Sequence, residues 1–145
     1  MSVNRRKRLF AFCVCLSLCV SFCACSHSNT QSISSYLWTL EFVSDLDGKL
    51  LFSGSKQEGT KQMDLALRFD GKQFSLKDNT SNQTWTGSYS LERTGKSYRL
   101  ELFFENSTKP VVGVYGTRVY SDNSKKATIT LQTDDYILSF VGADL

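Results

Sequence analysis

The sequence predicts an all-β fold: a single antiparallel up-and-down β-barrel of about eight to nine strands, with an open β-sandwich as the alternative. Three observations carry this. From Tyr36 onward apolar and polar residues alternate with a period of two, turn residues interrupt the alternation at short intervals, and no segment shows the period of an amphipathic helix. Alternation gives each strand one buried and one wetted face, and consecutive strands joined by short turns run antiparallel. Closing such a meander into a barrel removes the edges that an open sheet leaves exposed.

In the first strand Trp38, Leu40 and Phe42 share a face, with Thr39 and Glu41 on the other. DLDGK then turns the chain into a short strand holding Leu50 and Phe52, and SGSKQEGTKQ, residues 53–62, reads as the longest polar loop. Leu65, Leu67 and Phe69 form the next apolar row. Asp70-Gly71 is expected to supply the two positive-φ positions of a tight hairpin into Phe74 and Leu76. Trp85, Gly87, Tyr89 and Leu91 share a face. After RTGKS so do Tyr98, Leu100, Leu102 and Phe104, with Phe103 on the opposite side. VVGVYGTRVY, residues 111–120, is apolar on both faces, and the series ends with Ala127, Ile129 and Leu131, then Tyr136, Leu138 and Phe140. Gly87, Gly113 and Gly116 inside strands mark bulges or close backbone approach, and Pro110 stands in a loop. The Asn-X-Ser/Thr triplets at Asn79, Asn82 and Asn106 read as loops; chance readily produces them in polar sequence, and glycosylation is not expected.

The N-terminus differs in kind. Four of the 17 basic residues form the run Arg5, Arg6, Lys7 and Arg8, and without them 13 basic face 14 acidic residues. The basic balance therefore belongs to the N-terminus, no dense cationic patch remains, and nucleic acid is not an expected partner. RRKR followed by LFAFCVCLSLCVSFCAC has the cationic, apolar and small-residue parts of an export signal. A retained membrane helix from Leu9 to Cys25 is the alternative, at the short limit for crossing a core of about 30 Å. All five cysteines lie at or before Cys25, so the following 120 residues fold without disulfides. FCAC, residues 22–25, resembles the lipobox of bacterial lipoproteins, in which a small residue precedes the cysteine that receives a diacylglyceryl group. Ala24 before Cys25 fits; Phe22 and Cys23 depart from the leucine and small residue usual at their places. Removal by an ordinary signal peptidase is the alternative.

The resemblance implies a signal peptide over residues 1–24, a lipid on Cys25, and anchoring on the extracytoplasmic side of a membrane. Ser26 after the cysteine resembles the pattern sent to the outer membrane in a two-membrane cell. SHSNTQSISS, residues 26–35, reads as a polar flexible tether, so that 25–35 links the lipid to a barrel domain at 36–145. Over roughly residues 36–141, the tryptophan of the first strand, LRFDGKQFSL, WTGSYSL, YRLELFF and DYILSFV resemble the small bacterial lipocalin-like lipoproteins. That implies a cup-shaped barrel and no particular ligand. The glycine-cysteine-asparagine signature of the META-type stress lipoproteins does not occur.

Chemistry is sparse. The sole histidine, His27, lies in the tether, which removes histidine-activated nucleophiles and the usual zinc sites from the domain. Asp45/Asp47 and Asp134/Asp135 stand where turns ask for aspartate, though a carboxylate-only hydrolase remains an alternative. No enzyme activity, cofactor or metal is expected. Arg118 shares a strand face with Val112, Val114 and Tyr120. If that face lines the barrel, its guanidinium needs an internal carboxylate or an anionic ligand; if Val111, Tyr115 and Val119 point inward, Arg118 meets solvent. Trp38, Trp85, Tyr89 and Tyr120 join Arg118 as candidate walls of a ligand pocket, and each also suits an ordinary β-core. Two functions follow: a barrel holding a small apolar or amphipathic ligand, or a module that captures a peptide or protein. The barrel interior separates them: a cavity there of about 300 Å³ or more favours the first, and a filled barrel with an exposed apolar patch the second.

Overall fold

The computed structural model describes residues 32–55 and 58–145. Cys25 and the signal and anchor readings lie outside the described residues. The described chain opens with a 3₁₀ turn, Ile33–Ser35, and continues into ten strands. The first three are β1 (Tyr36–Asp45), β2 (Leu50–Ser53) and β3 (Lys61–Gln62). A hairpin of β4 (Leu65–Asp70) and β5 (Gln73–Asp78) follows, then the longer β6 (Gln83–Thr94) and β7 (Ser97–Phe104). The last are β8 (Val111–Val119), β9 (Lys125–Gln132) and β10 (Tyr136–Asp144).

From β4 to β10 each strand pairs antiparallel with the next, β10 pairs with β1, and β1 pairs with β4. Eight strands therefore close a barrel, while β2 and β3 extend from the far half of β1 as a small flap. β3, which pairs parallel with β2, arises inside the segment expected to be loop.

The strand periodicity sends one row per strand to the interior. Trp38, Leu67, Leu100, Leu102, Ile129 and Phe140 are all 0% exposed. Tyr115, Leu131, Phe69 and Phe74 are buried beside them, each contributing on the order of 2 kcal/mol through removal from water. A side chain bordering a void of water size would have accessible surface, so the centre of the barrel is filled. Aromatic rings set its order: Trp38 meets Tyr36 at 5.1 Å and Tyr115 edge-on at 5.6 Å, and Tyr115 stacks on Tyr98 at 5.5 Å. Gly87 and Gly113 lie where a Cβ would overlap the carbonyl oxygens of Phe103 and Thr130, the close approach their strand positions suggest.

Four sequence expectations change. The tether reading of 26–35 gives way at Ile33, which is 2% exposed in the core and accepts a 2.9 Å hydrogen bond from Trp38 Nε1 through its carbonyl. Phe42 leaves the Trp38 and Leu40 row. The β1–β10 ladder pairs Leu40 with Phe140 and Phe42 with Ser139, so Glu41 is an extra residue that shifts the phase and brings Val43 inward instead. In the β4–β5 hairpin Asp70 pairs with Gln73 within the ladder. The two-residue loop is Gly71-Lys72, and of the residues around the turn Gly71 has the positive φ, at 57°. Leu91 and Tyr136 keep their expected parity yet are exposed, Tyr136 as the first residue of β10 and Leu91 opposite the buried Leu100.

Candidate functional site

The outer face holds a polar cluster built by the Glu41 bulge. β8 directs Val111, Gly113 and Tyr115 toward the core, so Val112, Val114, Arg118 and Tyr120 face outward. Arg118 does not meet solvent alone. Its Nη1 donates to Glu41 Oε2 at 2.7 Å and its Nη2 to Ser139 Oγ at 3.1 Å. Ser139 Oγ donates to the same carboxylate oxygen at 3.1 Å, and the Tyr120 hydroxyl donates to Glu41 Oε1 at 2.9 Å. The guanidinium also stands over the Phe42 and Tyr120 rings at 5.9 and 6.0 Å. Burial first, then the bond to Glu41, raises the Tyr120 hydroxyl above the ordinary tyrosine range.

The cluster joins β1, β8 and β10, and every partner is supplied by the chain itself. Arg118 has the carboxylate that its face requires, on the outside of the barrel. Glu41 is the residue that sequence reasoning missed as a partner. The available signal was the pair of adjacent apolar residues after it, Phe42 and Val43, which breaks the alternation as a bulge does.

A second feature is a concavity. An open groove of about 460 Å³ lies where β1 begins and β4 ends. Tyr36 gives it apolar surface, the nearly buried Phe69 and Phe74 lie at its floor, and Gly87 leaves room beside Phe74. Arg68, Asp70 and Glu105 supply charge, and Ser75 and Thr86 hydroxyls. Among the described side-chain hydrogen bonds and ion pairs, none engages the Arg68 guanidinium or the Asp70 and Glu105 carboxylates. At its margin Tyr89 donates its hydroxyl to the Gly71 carbonyl at 2.9 Å and packs edge-on against Phe69 at 4.8 Å. Burial, then the Asp70 charge, raises the Tyr89 hydroxyl.

The five sequence candidates do not converge. Trp38 is deep core, Trp85 packs partly buried against that core, and Tyr89 supports the hairpin beside the groove. Arg118 and Tyr120 meet each other at Glu41 on the outer face. Among the described residues no three His, Cys, Asp or Glu side chains gather as a metal site, and no helix is long and apolar enough to cross a membrane. A scan of family models and searches of curated proteins and solved structures find no match to this chain.

Proposed function

We propose that this chain is a lipid-anchored cell-envelope protein whose barrel binds a small amphipathic ligand. The N-terminal part rests on the sequence: a signal at 1–24, a lipid on Cys25, and a polar tether that ends at Ile33. The binding part is carried by one observation, the groove of about 460 Å³ that sets aromatic surface beside charges with no partner of their own. Ligand pockets combine apolar walls with a few placed polar groups in this size range. Because the barrel centre is filled, the ligand enters the groove and not the barrel axis. The resemblance to lipocalin-like lipoproteins then concerns strand pattern, with the binding place moved to the wall.

Native mass spectrometry of the full chain from detergent micelles tests this. A medium-chain fatty acid, an alkyltrimethylammonium and a neutral monoacylglycerol serve as probes. At least one is expected to give a one-to-one adduct that Thr86→Phe removes by filling the groove while circular dichroism stays unchanged. No adduct, or adducts indifferent to Thr86→Phe, removes the ligand reading. Cys25→Ser is expected to abolish membrane partition of the mature-size band; persistence of that band in membranes removes the anchor.

A second reading has its own observation. Phe103, Val112 and Val114 are exposed neighbours on the outer face of β7 and β8, Val114 at 52%. Such a patch beside a filled core supports capture of a protein. Cross-linking from Val114→Cys at the cell surface to a discrete partner would favour it.

A further inference from the structure

We propose that the groove's ligand is a short extended peptide with a basic side chain, which adds as a strand to the free edge of β4. The inference rests on the binding reading of the groove and specifies its ligand class. Asp70 and Gln73 close the Gly71-Lys72 turn as a hydrogen-bonded pair, so the pairs that exchange both bonds across β4 and β5 recur at Arg68 with Ser75 and at Ala66 with Lys77. The N–H and C=O of Leu67 and Phe69 then point the other way, toward β1.

Leu67 finds Trp38 there, and Ala66 is paired with Thr39. The β1–β4 ladder stops at those two pairs, leaving Arg68, Phe69 and Asp70 without a partner in β1. The reason is local. β1 itself continues through Leu37 to Tyr36, but there it leaves β4 and follows β10, where Tyr36 pairs with Asp144, and the preceding 3₁₀ turn drives Ile33 into the core. All three line the groove, and of them Phe69 is the one whose main chain faces the β1 side.

An edge strand that opens onto a concave, partly apolar surface is the arrangement used for strand addition. Main-chain bonds give such a complex affinity, and alternate side chains give it specificity. Here the peptide's backbone would pair with Phe69, and one row of its side chains would lie against Tyr36. The charges decide the other row. Two carboxylates, Asp70 and Glu105, face one guanidinium, Arg68, and none of the three has an ion-pair partner among the described residues. The excess of negative charge selects a lysine or arginine on the peptide and disfavours an acidic one.

Amide hydrogen exchange on the full chain in micelles, with three blocked probe peptides of about seven residues, a usual strand length, tests this directly. One alternates valine and threonine between terminal lysines, the second carries glutamates in place of the lysines, and the third is the lysine peptide N-methylated on alternate amides. The lysine peptide is expected to slow exchange at the Phe69 amide about tenfold or more, a change of about 1.4 kcal/mol. The other two are expected to do so far less. Asp70→Asn is expected to weaken the lysine peptide about threefold and Arg68→Gln to tighten it by a similar factor, the range of exposed charge pairs.

Equal binding of the lysine and N-methylated peptides, or no protection at Phe69, overturns strand addition. If the alkyltrimethylammonium still gives its Thr86-sensitive adduct in that case, the groove remains a binding site and the peptide inference alone falls. If no probe of either kind binds, both readings fall.

Discussion

Strand β1 has two flanks, and they are built differently. Toward β10 the ladder runs from Tyr36 opposite Asp144 to Asp45 opposite Tyr136, carried through the Glu41 bulge and bridged on the outside by the Glu41, Arg118, Ser139 and Tyr120 bonds. Toward the other side the same strand is shared between two partners. Trp38 and Thr39 pair with β4, Phe42 to Ser44 pair with β2, and the change of partner falls at the bulge. Gly54 seals that fork by donating its N–H to the Glu41 carbonyl at 3.0 Å, where a Cβ would overlap the Leu40 carbonyl oxygen. A closed barrel thus has one continuous seam and one short seam, and the groove lies at the short one. Local opening belongs to the flank with fewer backbone bonds.

Removing the residue common to both flanks has the largest effect. Trp38 pairs with Gly142 on one side and Leu67 on the other, and its indole N–H also holds the Ile33 carbonyl. Trp38→Ala is expected to cost about 3–5 kcal/mol, seen as a lower urea midpoint, and to release the Ile33–Ser35 turn. A loss below about 1 kcal/mol would mean the two seams do not share this centre.

Charging the same region from within comes next. Burial, then the neighbouring Tyr36 and Tyr98, pushes the Tyr115 hydroxyl up to about 12. An unfolded tyrosine titrates near 10. The folded state therefore prefers the neutral phenol. The stability this brings is fully present below about pH 10 and is lost as pH rises through about 12, on the order of 2 kcal/mol in total. Tyr115→Phe should flatten that alkaline loss, with absorbance titration following the phenolates; an unchanged slope would place the loss at another tyrosine.

Breaking the outer cluster sharpens the contrast between the seams. Glu41→Ala leaves Arg118, Tyr120 and Ser139 without their shared acceptor and is expected to cost about 1–2 kcal/mol, since the pair is partly wetted. Hydrogen exchange should quicken along β1 and β10 and change little along β4. Quickening confined to β4 would reverse the assignment of the strong seam.

The smallest effect is expected away from both seams. Arg99 pairs with Glu101 at 2.8 Å across an open strand face, with more than half of the arginine side chain exposed. Arg99→Ala should shift the urea midpoint by less than about 1 kcal/mol. A larger loss would show that β7 contributes to closure in a way its register does not.

Much of the fold was legible because alternation is a local property. The rows Leu65, Leu67 and Phe69, or Leu100 and Leu102, declare their inward face without knowledge of any partner strand. Arg118 could be assigned to a face only conditionally, because VVGVYGTRV is apolar on both sides and either row could have been core. The choice was made by Tyr115, which fits between Trp38 and Tyr98, and by Val112 and Val114, which stay outside. The groove left no mark in sequence, since Arg68 and Asp70 look like ordinary outward residues beside a turn. Their place beside a groove follows from where β1 leaves β4.

The class of fold, the approximate strands and the separation of a cationic, cysteine-rich N-terminus from a cysteine-free domain follow from residue type and near neighbours along the chain. Long-range packing set which strands close the barrel, that Glu41 is bulged and meets Arg118 across 77 positions of sequence, and that the end of β4 has no partner in β1. Those outcomes depend on register between strands far apart in the chain. Register is set by how Trp38, Ile33 and Phe140 fill one interior together, which no single segment encodes.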